Sequence, residues 1–402
     1  MTLADLQTPQ TEPDIIPGFT AYHQNVGLSH NFAFISKLNP SQSLQAIAWG
    51  APARVTLKKA ADQKLFVGEW IPEPRLGVVI TKLRTRVHDP LFLQNNKEIE
   101  SGAPFAFNSR YLVKKGNNRC REGPVRSIKC VGKENVTITS SETDSLVMWD
   151  FIHSSDGQVV SRLKTNGPNL SGSIDVRTGT VASGAEDRKL YIWTLTGQKV
   201  PTLNPLSSFP IHEGATGDIT CTSIHAKQPD LIVAATQDGK LAFFDSRVPG
   251  GGGRPPMDAH TDMISSVHYH PTVAHWVISG SDDCTTRIWD TRGKGLPVHY
   301  YRHKDKVTAV EWCPHMEKVY LSASLDETVE IRRLGVGNNN EKVQTHILHD
   351  GPVVTAAWNP DKAFEGVIAS TSLGKDGHPG YLQVWRGNGY LREAGRLSTV
   401  GR

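Results

Sequence analysis

The residues of this sequence that could do chemistry are a histidine, a serine and an aspartate within one short stretch. They are His260, Ser279 and Asp283, and Trp289 follows the aspartate by six positions. These are the three residue types of a nucleophilic hydrolase triad. The alternative is structural, with four buried polar side chains that satisfy one another by hydrogen bonds. We favour the structural interpretation, because buried polar side chains are as a rule hydrogen-bonded to one another.

A second candidate is the segment His268-Tyr269-His270, with His275 close by, since imidazole is a common metal ligand. The following repeats place Cys313 and Asn359 where this segment has His270, so no common ligand set emerges. We therefore expect surface histidines here and no metal site.

The polar residues above belong to a repeating pattern. His260, His303 and His349 are each followed by an apolar residue four positions on, an aromatic residue nine on and a proline eleven on. A fainter copy begins at His212, and the four histidines are 48, 43 and 46 residues apart. This period is slightly above that of a four-stranded propeller blade. A turn with Asp or Glu-Asp, followed six residues later by Trp or Arg, ends three of the units.

The repeat predicts the fold class. Six units begin near residues 122, 162, 212, 260, 303 and 349, and the short strands predicted at 44–49, 64–70, 75–83 and 105–113 supply a divergent seventh. We predict an all-β protein, a seven-bladed β-propeller over residues 41–392, with a loop at 84–104. A closed ring of blades hides the edges of its strands.

The N-terminal region has a different pattern. Residues 1–18 carry three prolines among polar residues, which predicts a disordered tail, and residues 393–402 are expected to form a C-terminal tail. Apolar residues between 19 and 40 fall at helical spacing, which predicts an N-terminal α-helix. This helix either packs on the side of the propeller or offers Leu28, Phe32 and Phe34 as a groove for a partner.

Composition excludes several classes of function. The chain has 44 Lys and Arg, 40 Asp and Glu, and a net charge of +4, without long runs of one sign. This balance predicts neither direct nucleic-acid binding nor membrane binding. The five cysteines form no Cys-x-x-Cys pair, which is typical of free buried thiols in a reducing compartment. The glycine run at 250–253 lacks the Lys-Ser or Lys-Thr of a phosphate loop, so we expect a flexible connector and no cofactor.

Two blades end on Asp-x-Arg, with Arg247 and Arg292 as the last residue. Either each arginine caps its own loop, or it contacts the adaptor of a cullin-type ubiquitin ligase, as in substrate receptors that share this box. The first interpretation is favoured, because the box also occurs in propellers with other functions.

The chain resembles the retinoblastoma-associated, histone-binding WD-repeat subunits, and is also similar to fungal WD-repeat transcriptional modulators. The resemblance is carried by 19–49, by DAHTD and SGSDDCTTRIWDTR in 258–292, by HKDKVTAVEWCPH at 303–315, and by 349–385. It implies a Trp–Ser–His–Asp hydrogen-bonded chain within a blade. It also implies a nuclear, non-enzymatic scaffold, with an additional cytoplasmic pool, in a chromatin-modifying or histone deacetylase-type complex whose partners are corepressor proteins and histones.

Two departures from that family weaken the expectation of histone binding. The family tends to place an acidic residue three positions after the blade histidine, where this chain has Met263, Lys306 and Pro352. Its acidic loop in the sixth blade corresponds here to 335–344, which contains one acid. A basic histone tail would find little to pair with.

Overall fold

A computed structural model of the 402-residue chain was analysed. It describes residues 20–24, 33–37, 43–50, 54–55, 60–70, 79–88, 125–131, 136–141, 145–150, 158–164, 175–177, 179–197, 202–211, 216–252, 255–293, 295–335, 340–347, 349–361, 366–375 and 381–386.

Six sheets have the strand order of a propeller blade, in which consecutive strands pair antiparallel from the centre outward. Blade 1 contains β7 (Val125–Val131), β8 (Val136–Ser141), β9 (Ser145–Asp150) and β10 (Gln158–Lys164). Blade 2 contains β11 (Asp175–Arg177), β12 (Thr180–Gly184), β13 (Lys189–Thr196) and β14 (Thr202–Pro210). Blade 3 contains β15 (Ile219–Ile224), β16 (Leu231–Thr236), β17 (Lys240–Asp245) and β18 (Met257–Asp258).

The remaining blades continue this order. Blade 4 contains β19 (Ile264–Tyr269), β20 (Trp276–Ser281), β21 (Thr285–Asp290) and β22 (Pro297–Arg302). Blade 5 contains β23 (Val307–Trp312), β24 (Val319–Ser324), β25 (Val329–Leu334) and β26 (Asn340–His346). Blade 6 contains β27 (Val353–Trp358), β28 (Val367–Ser372) and β29 (Tyr381–Arg386), and two N-terminal strands complete it, β2 (Ala33–Lys37) and β1 (Thr20–Gln24).

A seventh sheet, the N-terminal sheet, lies between blades 6 and 1, because its strand β3 contacts both β27 and β7. It contains β3 (Ser43–Trp49), β4 (Arg54–Val55), β5 (Ala60–Trp70) and β6 (Val79–His88). The long strand β5 pairs with β3 and β4 along one edge and with β6 along the other, so the sheet lacks the order of a blade. The prediction of seven blades is therefore wrong, since six sheets of the described chain are blades.

The predicted N-terminal helix is also wrong. Residues 20–24 and 33–37 form the antiparallel pair β1 and β2, and β2 pairs with β29 from Ala33 opposite Trp385 to Lys37 opposite Tyr381. The open edge of blade 6 offers a ladder of hydrogen bonds, and this tertiary pairing overrides a local helical periodicity that Gly27 already weakened. The described residues contain no α-helix. Among them, no helical segment is long and apolar enough to cross a membrane.

Several expectations are changed or lie outside the described residues. The predicted strands at 44–49 and 64–70 are present, and the strand predicted at 75–83 begins at Val79 and continues to His88, into the expected loop. The strand predicted at 105–113 and the tails at 1–18 and 393–402 lie outside the described residues. The glycine connector includes a short 3-10 turn at Pro249–Gly251, in which Gly251 packs against Phe209 and Phe244.

In blades 3, 4 and 5 the first strand has a bulge that joins the blade to the next one. The register between first and second strand shifts around Thr220, Ser265 and Thr308. Each of these hydroxyls lies near a carbonyl of its own second strand and near a carbonyl of the next blade. Ser265 Oγ is 3.0 Å from the oxygen of Gly280 and 2.5 Å from that of Val307. The bulge therefore places a hydroxyl where two sheets meet.

Apolar side chains fill the space between neighbouring blades. Between blades 3 and 4, Cys221 and Val233 pack with Val267, Val277 and Trp289 in one buried cluster. The second strands are buried along most of their length, which explains their nearly continuous apolar and small residues.

Gly280 shows how closely the blades pack. A Cβ at this position would lie 2.6 Å from Cγ1 of Val307 and 2.8 Å from Cγ1 of Val310, both in blade 5. The corresponding position of blade 5 is Ala323, which is fully buried. The size of the residue at this position therefore sets the distance between neighbouring sheets, separately at each interface.

We predict that Gly280→Ala lowers the free energy of unfolding by about 1 to 3 kcal/mol, because the added methyl group pushes blades 4 and 5 apart. Urea unfolding followed by tryptophan fluorescence measures this change. The matched control, Ala323→Gly, should cost about 1 kcal/mol or less through backbone entropy. Equal stability of Gly280→Ala and the unmodified protein would contradict the packing argument.

Candidate functional site

The four residues singled out in blade 4 lie in one chain of hydrogen bonds. The indole Nε1 of Trp289 donates to Oγ of Ser279 at 2.8 Å, and Nε2 of His260 lies 2.7 Å from the same oxygen. Nδ1 of His260 lies 2.9 Å from Oδ2 of Asp283. These hydrogen bonds link β21, β20, the segment before β19 and the turn between β20 and β21.

The charges in this chain follow from burial and hydrogen bonding. Burial lowers the pKa of His260, and the hydrogen bond to Asp283 offsets only part of that effect. Burial alone would raise the pKa of Asp283, but hydrogen bonds from His260 and Thr285 outweigh it and hold that pKa well below its usual value. A neutral histidine beside a carboxylate therefore donates from Nδ1, which leaves Nε2 to accept the Ser279 hydroxyl proton.

The hydrogen bonds among these residues resemble those of a catalytic triad. Unlike a triad serine, however, Ser279 is not accessible to a substrate. Ser279 has no exposed surface, and its oxygen already accepts from Trp289. A substrate carbonyl could not reach that oxygen without separating the strands. The hydrolase interpretation consequently has no support from this geometry.

Other blades repeat parts of this series of hydrogen bonds. In blade 5, His303 joins Ser322 and Asp326 at 2.8 and 3.1 Å. In blade 6, Ser370 joins His349 at 2.7 Å and accepts from Trp385 at 3.1 Å. In blades 1 and 2 the tryptophan donates to a hydroxyl, as Trp149 to Thr139 and Trp193 to Ser183.

Blade 5 has Arg332 where blade 4 has its tryptophan. The Arg332 guanidinium lies over the ring of Tyr301, with Cζ 3.3 Å from the centroid, and its Nη2 is 3.5 Å from Oε2 of the buried Glu330. Tyr301 belongs to blade 4, so this cation–π contact joins the outer parts of two blades.

The histidine segment of blade 4 has a different role from the one predicted. His270 is buried, so the expectation of a surface histidine is wrong for this residue. Its Nδ1 accepts the backbone N–H groups of Thr272 and Val273, and its Nε2 meets the carbonyl oxygen of Glu317 in the next blade. It closes the loop between the first two strands and bonds it to the neighbouring blade.

His225 makes the equivalent contacts in blade 3, and sequence reasoning missed it. Its Nδ1 accepts from Lys227 and Gln228, and its Nε2 meets the oxygen of Ala274 in blade 4. The signal was available, because His225 and His270 occupy the same position after the first strand. Within the described residues, no group of three or more His, Cys, Asp or Glu could hold a metal ion.

The cysteines in the described part of the chain are free thiols. Cys221 and Cys313 are buried, and Cys130 and Cys284 are partly buried. The expectation of buried thiols therefore fits two of these four, and Cys120 lies outside the described residues.

Both arginines of the Asp-x-Arg pairs engage their own loops. Arg247 contacts both carboxylate oxygens of Asp245, at 2.9 and 2.7 Å, and Arg292 contacts those of Asp290, at 3.0 and 2.7 Å. The hydrogen bonds from Arg292 lower the pKa of Asp290 to about 2. Both arginines are exposed, yet this bidentate geometry is what the loop-capping interpretation requires.

The groove expected along Leu28, Phe32 and Phe34 loses its helix. Leu28 and Phe32 lie outside the described residues, and Phe34 lies on β2, opposite Val384 of β29. The three residues stay candidates for partner contact without the helical face that first suggested them.

The face that carries the blade turns is partly neutralised by the chain itself. Nζ of Lys306 lies 2.5 Å from Oδ2 of Asp282 in the preceding blade, and Lys375 pairs with Glu327 across the next interface. Lys306 thus occupies a position where an acid was expected and also pairs with an acid of the neighbouring turn.

One protein-family model matches part of this sequence. The model for the WD domain, G-beta repeat, matches residues 255–290. This range runs from β18, the outer strand of blade 3, to β21 of blade 4, and it contains the whole hydrogen-bonded chain of blade 4. The chain therefore contains a WD repeat. The all-β propeller predicted from the repeat is confirmed at this level.

Known proteins match larger parts of the chain at low identity. They include the ribosome biogenesis protein WDR12 homolog of Ixodes scapularis, 28% identical over 53% of this chain and 54% of that protein. The WD-40 repeat-containing protein MSI4 of Arabidopsis thaliana is 24% identical over 61% of this chain and 47% of the relative. The protein transport protein Sec31A of Mus musculus is 22% identical over 58% and 19%. The chain therefore spans between about a fifth and about half the length of these relatives.

We predict that the serines of blades 4 and 5 differ in their contribution to stability. Ser279→Ala removes the hydroxyl that donates to His260 and accepts from Trp289. This change should lower the free energy of unfolding by about 3 kcal/mol. Ser322→Ala removes the partner of His303 alone and should cost about 1 to 2 kcal/mol. Urea unfolding of both variants measures the difference. Equal losses would show that the indole hydrogen bond contributes nothing.

We also predict that acid destabilises the propeller through its buried histidines. Burial lowers the pKa of His349 well below 6.5, and its Nδ1 has no hydrogen-bond partner among the described residues. The unfolded chain therefore binds a proton that the folded chain does not, so stability is present above pH 6.5 and is lost as the pH falls below it. Urea unfolding at pH 7.5 and 5.5 measures this loss.

A substitution identifies the source of that pH dependence. His349→Gln should lower stability at pH 7.5 and reduce the further loss between pH 7.5 and 5.5. The control Leu206→Ser changes an exposed residue that does not titrate and should leave the pH dependence as it was. An unchanged slope in His349→Gln would contradict the assignment.

Proposed function

We propose that this WD-repeat chain is a non-enzymatic scaffold that holds other proteins on its propeller. The observation that carries the proposal is the enclosure of Ser279, whose hydroxyl is fully buried and already bonded to Trp289 and His260. The residue types that could have formed a hydrolase thus serve the fold, and the same arrangement recurs in blades 5 and 6. What the molecule offers to solvent is the surface of a rigid ring of sheets.

We place this scaffold in a nuclear chromatin-modifying or transcription-repression complex of the histone deacetylase type. The support is the resemblance carried by 258–292, 303–315 and 349–385. The low-identity relatives bear names from several processes, which include ribosome biogenesis and protein transport, so their shared feature is the propeller. The choice of complex depends on the resemblance.

In this proposal the chain binds histones more weakly than the family that it resembles. Met263, Lys306 and Pro352 stand where acids would support a basic tail, and the bond from Lys306 to Asp282 pairs off one carboxylate of that face. A histone tail would gain little charge complementarity there. Partner proteins of the complex are therefore expected to dominate binding.

Affinity purification of the tagged full chain, followed by quantitative mass spectrometry, tests this function. We expect deacetylase, corepressor or histone-handling proteins to co-purify. The double variant Arg247→Glu/Arg292→Glu provides a matched control, since both arginines contact only their own loops in the described chain. It should recover the same proteins.

Two results would overturn the proposal. One is the absence of every deacetylase, corepressor and histone-handling protein from the purified material. The other is recovery of a cullin-type ligase adaptor that the double charge reversal abolishes, which would establish the ligase substrate receptor instead.

A further inference from the structure

The outer strand of blade 4 presents an unusual apolar row. In β22 the residues alternate between half-buried and exposed, and Val298, Tyr300 and Arg302 lie on the exposed side. Tyr300 is 69% exposed and Val298 is 40% exposed, and Leu296, just before the strand, is 78% exposed. On the other side of the strand, Tyr301 is covered by Arg332 of blade 5. Large apolar side chains in an exposed contiguous row indicate an interaction surface.

The row is exposed because the preceding blade is incomplete. The outer strand of blade 3, β18, has only two residues and pairs with Lys240 and Leu241 alone. Pro255 and Pro256 precede it, and proline has no N–H with which to extend a ladder. The outer strands of two other pairs of neighbouring blades contact each other, β10 with β14 and β22 with β26. Blade 3 has few outer-strand residues with which to cover the exposed side of β22.

The free edge of β22 has a proline and a charge only at its two ends, Pro297 and Arg302. Within the described residues, β22 pairs only with β21. The outer strands of blades 1, 2 and 5 carry charged residues or an internal proline, namely Arg162 in β10, Pro205 in β14 and Lys342 in β26. The run from Val298 to Tyr301 carries neither. Such an edge is a template for pairing with another extended chain.

The charge around the row favours an acidic occupant. Residues 292–304 contain four Lys or Arg and no Asp or Glu. Arg302 and Lys304 are exposed and form no ion pair within the described chain. A second copy of β22, paired antiparallel, would bring two such basic segments together and be repelled. An acidic segment gains at the same positions.

We propose that β22 is a docking edge for an extended acidic peptide segment of a partner protein. The segment adds a strand to blade 4, its backbone pairs with the free edge, and its alternate apolar side chains cover Val298 and Tyr300. Its acidic residues pair with Arg302 and Lys304. This mode of recognition takes affinity from backbone hydrogen bonds and specificity from alternate side chains. The proposal rests on the scaffold function only in assuming that the propeller binds proteins.

Binding of synthetic peptides to the full chain, measured by fluorescence anisotropy, tests this edge. The probe is a nonapeptide with three alternating valines, flanked by two aspartates at each end. Two control peptides have lysines in place of the aspartates, or N-methyl groups on alternate residues of the side that pairs. We expect the acidic peptide to bind about tenfold more tightly than either control.

A double variant, Val298→Ser/Tyr300→Ser, should weaken binding of the acidic peptide by about tenfold without a change in charge. Both residues are exposed, so the variant should retain its circular dichroism spectrum and melting temperature. The matched control is Leu206→Ser, which removes an exposed apolar side chain from the outer strand of blade 2 and should leave binding unchanged.

Several results would overturn the docking edge: no saturable binding of the acidic peptide at about 1 mM, equal binding of the three peptides, or equal loss in the Leu206→Ser control. Dimerisation that light scattering detects and the double variant abolishes would assign the row to a second copy of this chain. These readouts do not depend on which complex is recovered from cells, so the two proposals can fail separately.

Discussion

The propeller from blade 3 to blade 6 depends on hydroxyl groups that join neighbouring blades at the bulges of three first strands. Thr220, Ser265 and Thr308 each have one hydroxyl proton and lie near two carbonyls, and the nearer carbonyl belongs to the next blade in every case. A buried carbonyl without a partner would cost about 1 to 3 kcal/mol, so the hydroxyl and the bulge are required together. Because these bonds join blade 3 to blade 4, blade 4 to blade 5 and blade 5 to blade 6, a distortion in one of these blades is passed to its neighbour.

The hydrogen-bonded chain within each blade is less uniform than these joints. Blade 4 has all four members, whereas Arg332 replaces the tryptophan in blade 5 and gains a contact with Tyr301 of blade 4. A lost bond inside one blade is thus accompanied by a new contact between two blades. The ring tolerates such exchanges because each interface carries its own apolar cluster and its own spacing, as Gly280 and Ala323 illustrate.

The repeat made much of the fold predictable, since the spacing of His260, His303 and His349 reports strands that pair in the same way each time. The hydrogen bonds among Trp289, Ser279, His260 and Asp283 were expected from the family resemblance. The N-terminal strands were not predictable, because β2 is stabilised by the edge of β29 and by nothing in its own sequence. The burial of His270 was missed for a similar reason: its partner Glu317 is 47 residues away, in another blade.

Function in such a ring is expected where the repeat is interrupted, because residues that recur in every blade are occupied by the fold. Blade 3 shows this most clearly. Its fourth strand is two residues long after Pro255 and Pro256, and the outer strand of the next blade, β22, has one exposed side. The apolar row there cannot be explained by stability, since an exposed side chain such as Tyr300 gains nothing from folding while it stays in water. A complete fourth strand in blade 3 would cover that row, so the interruption and the exposed edge form one feature.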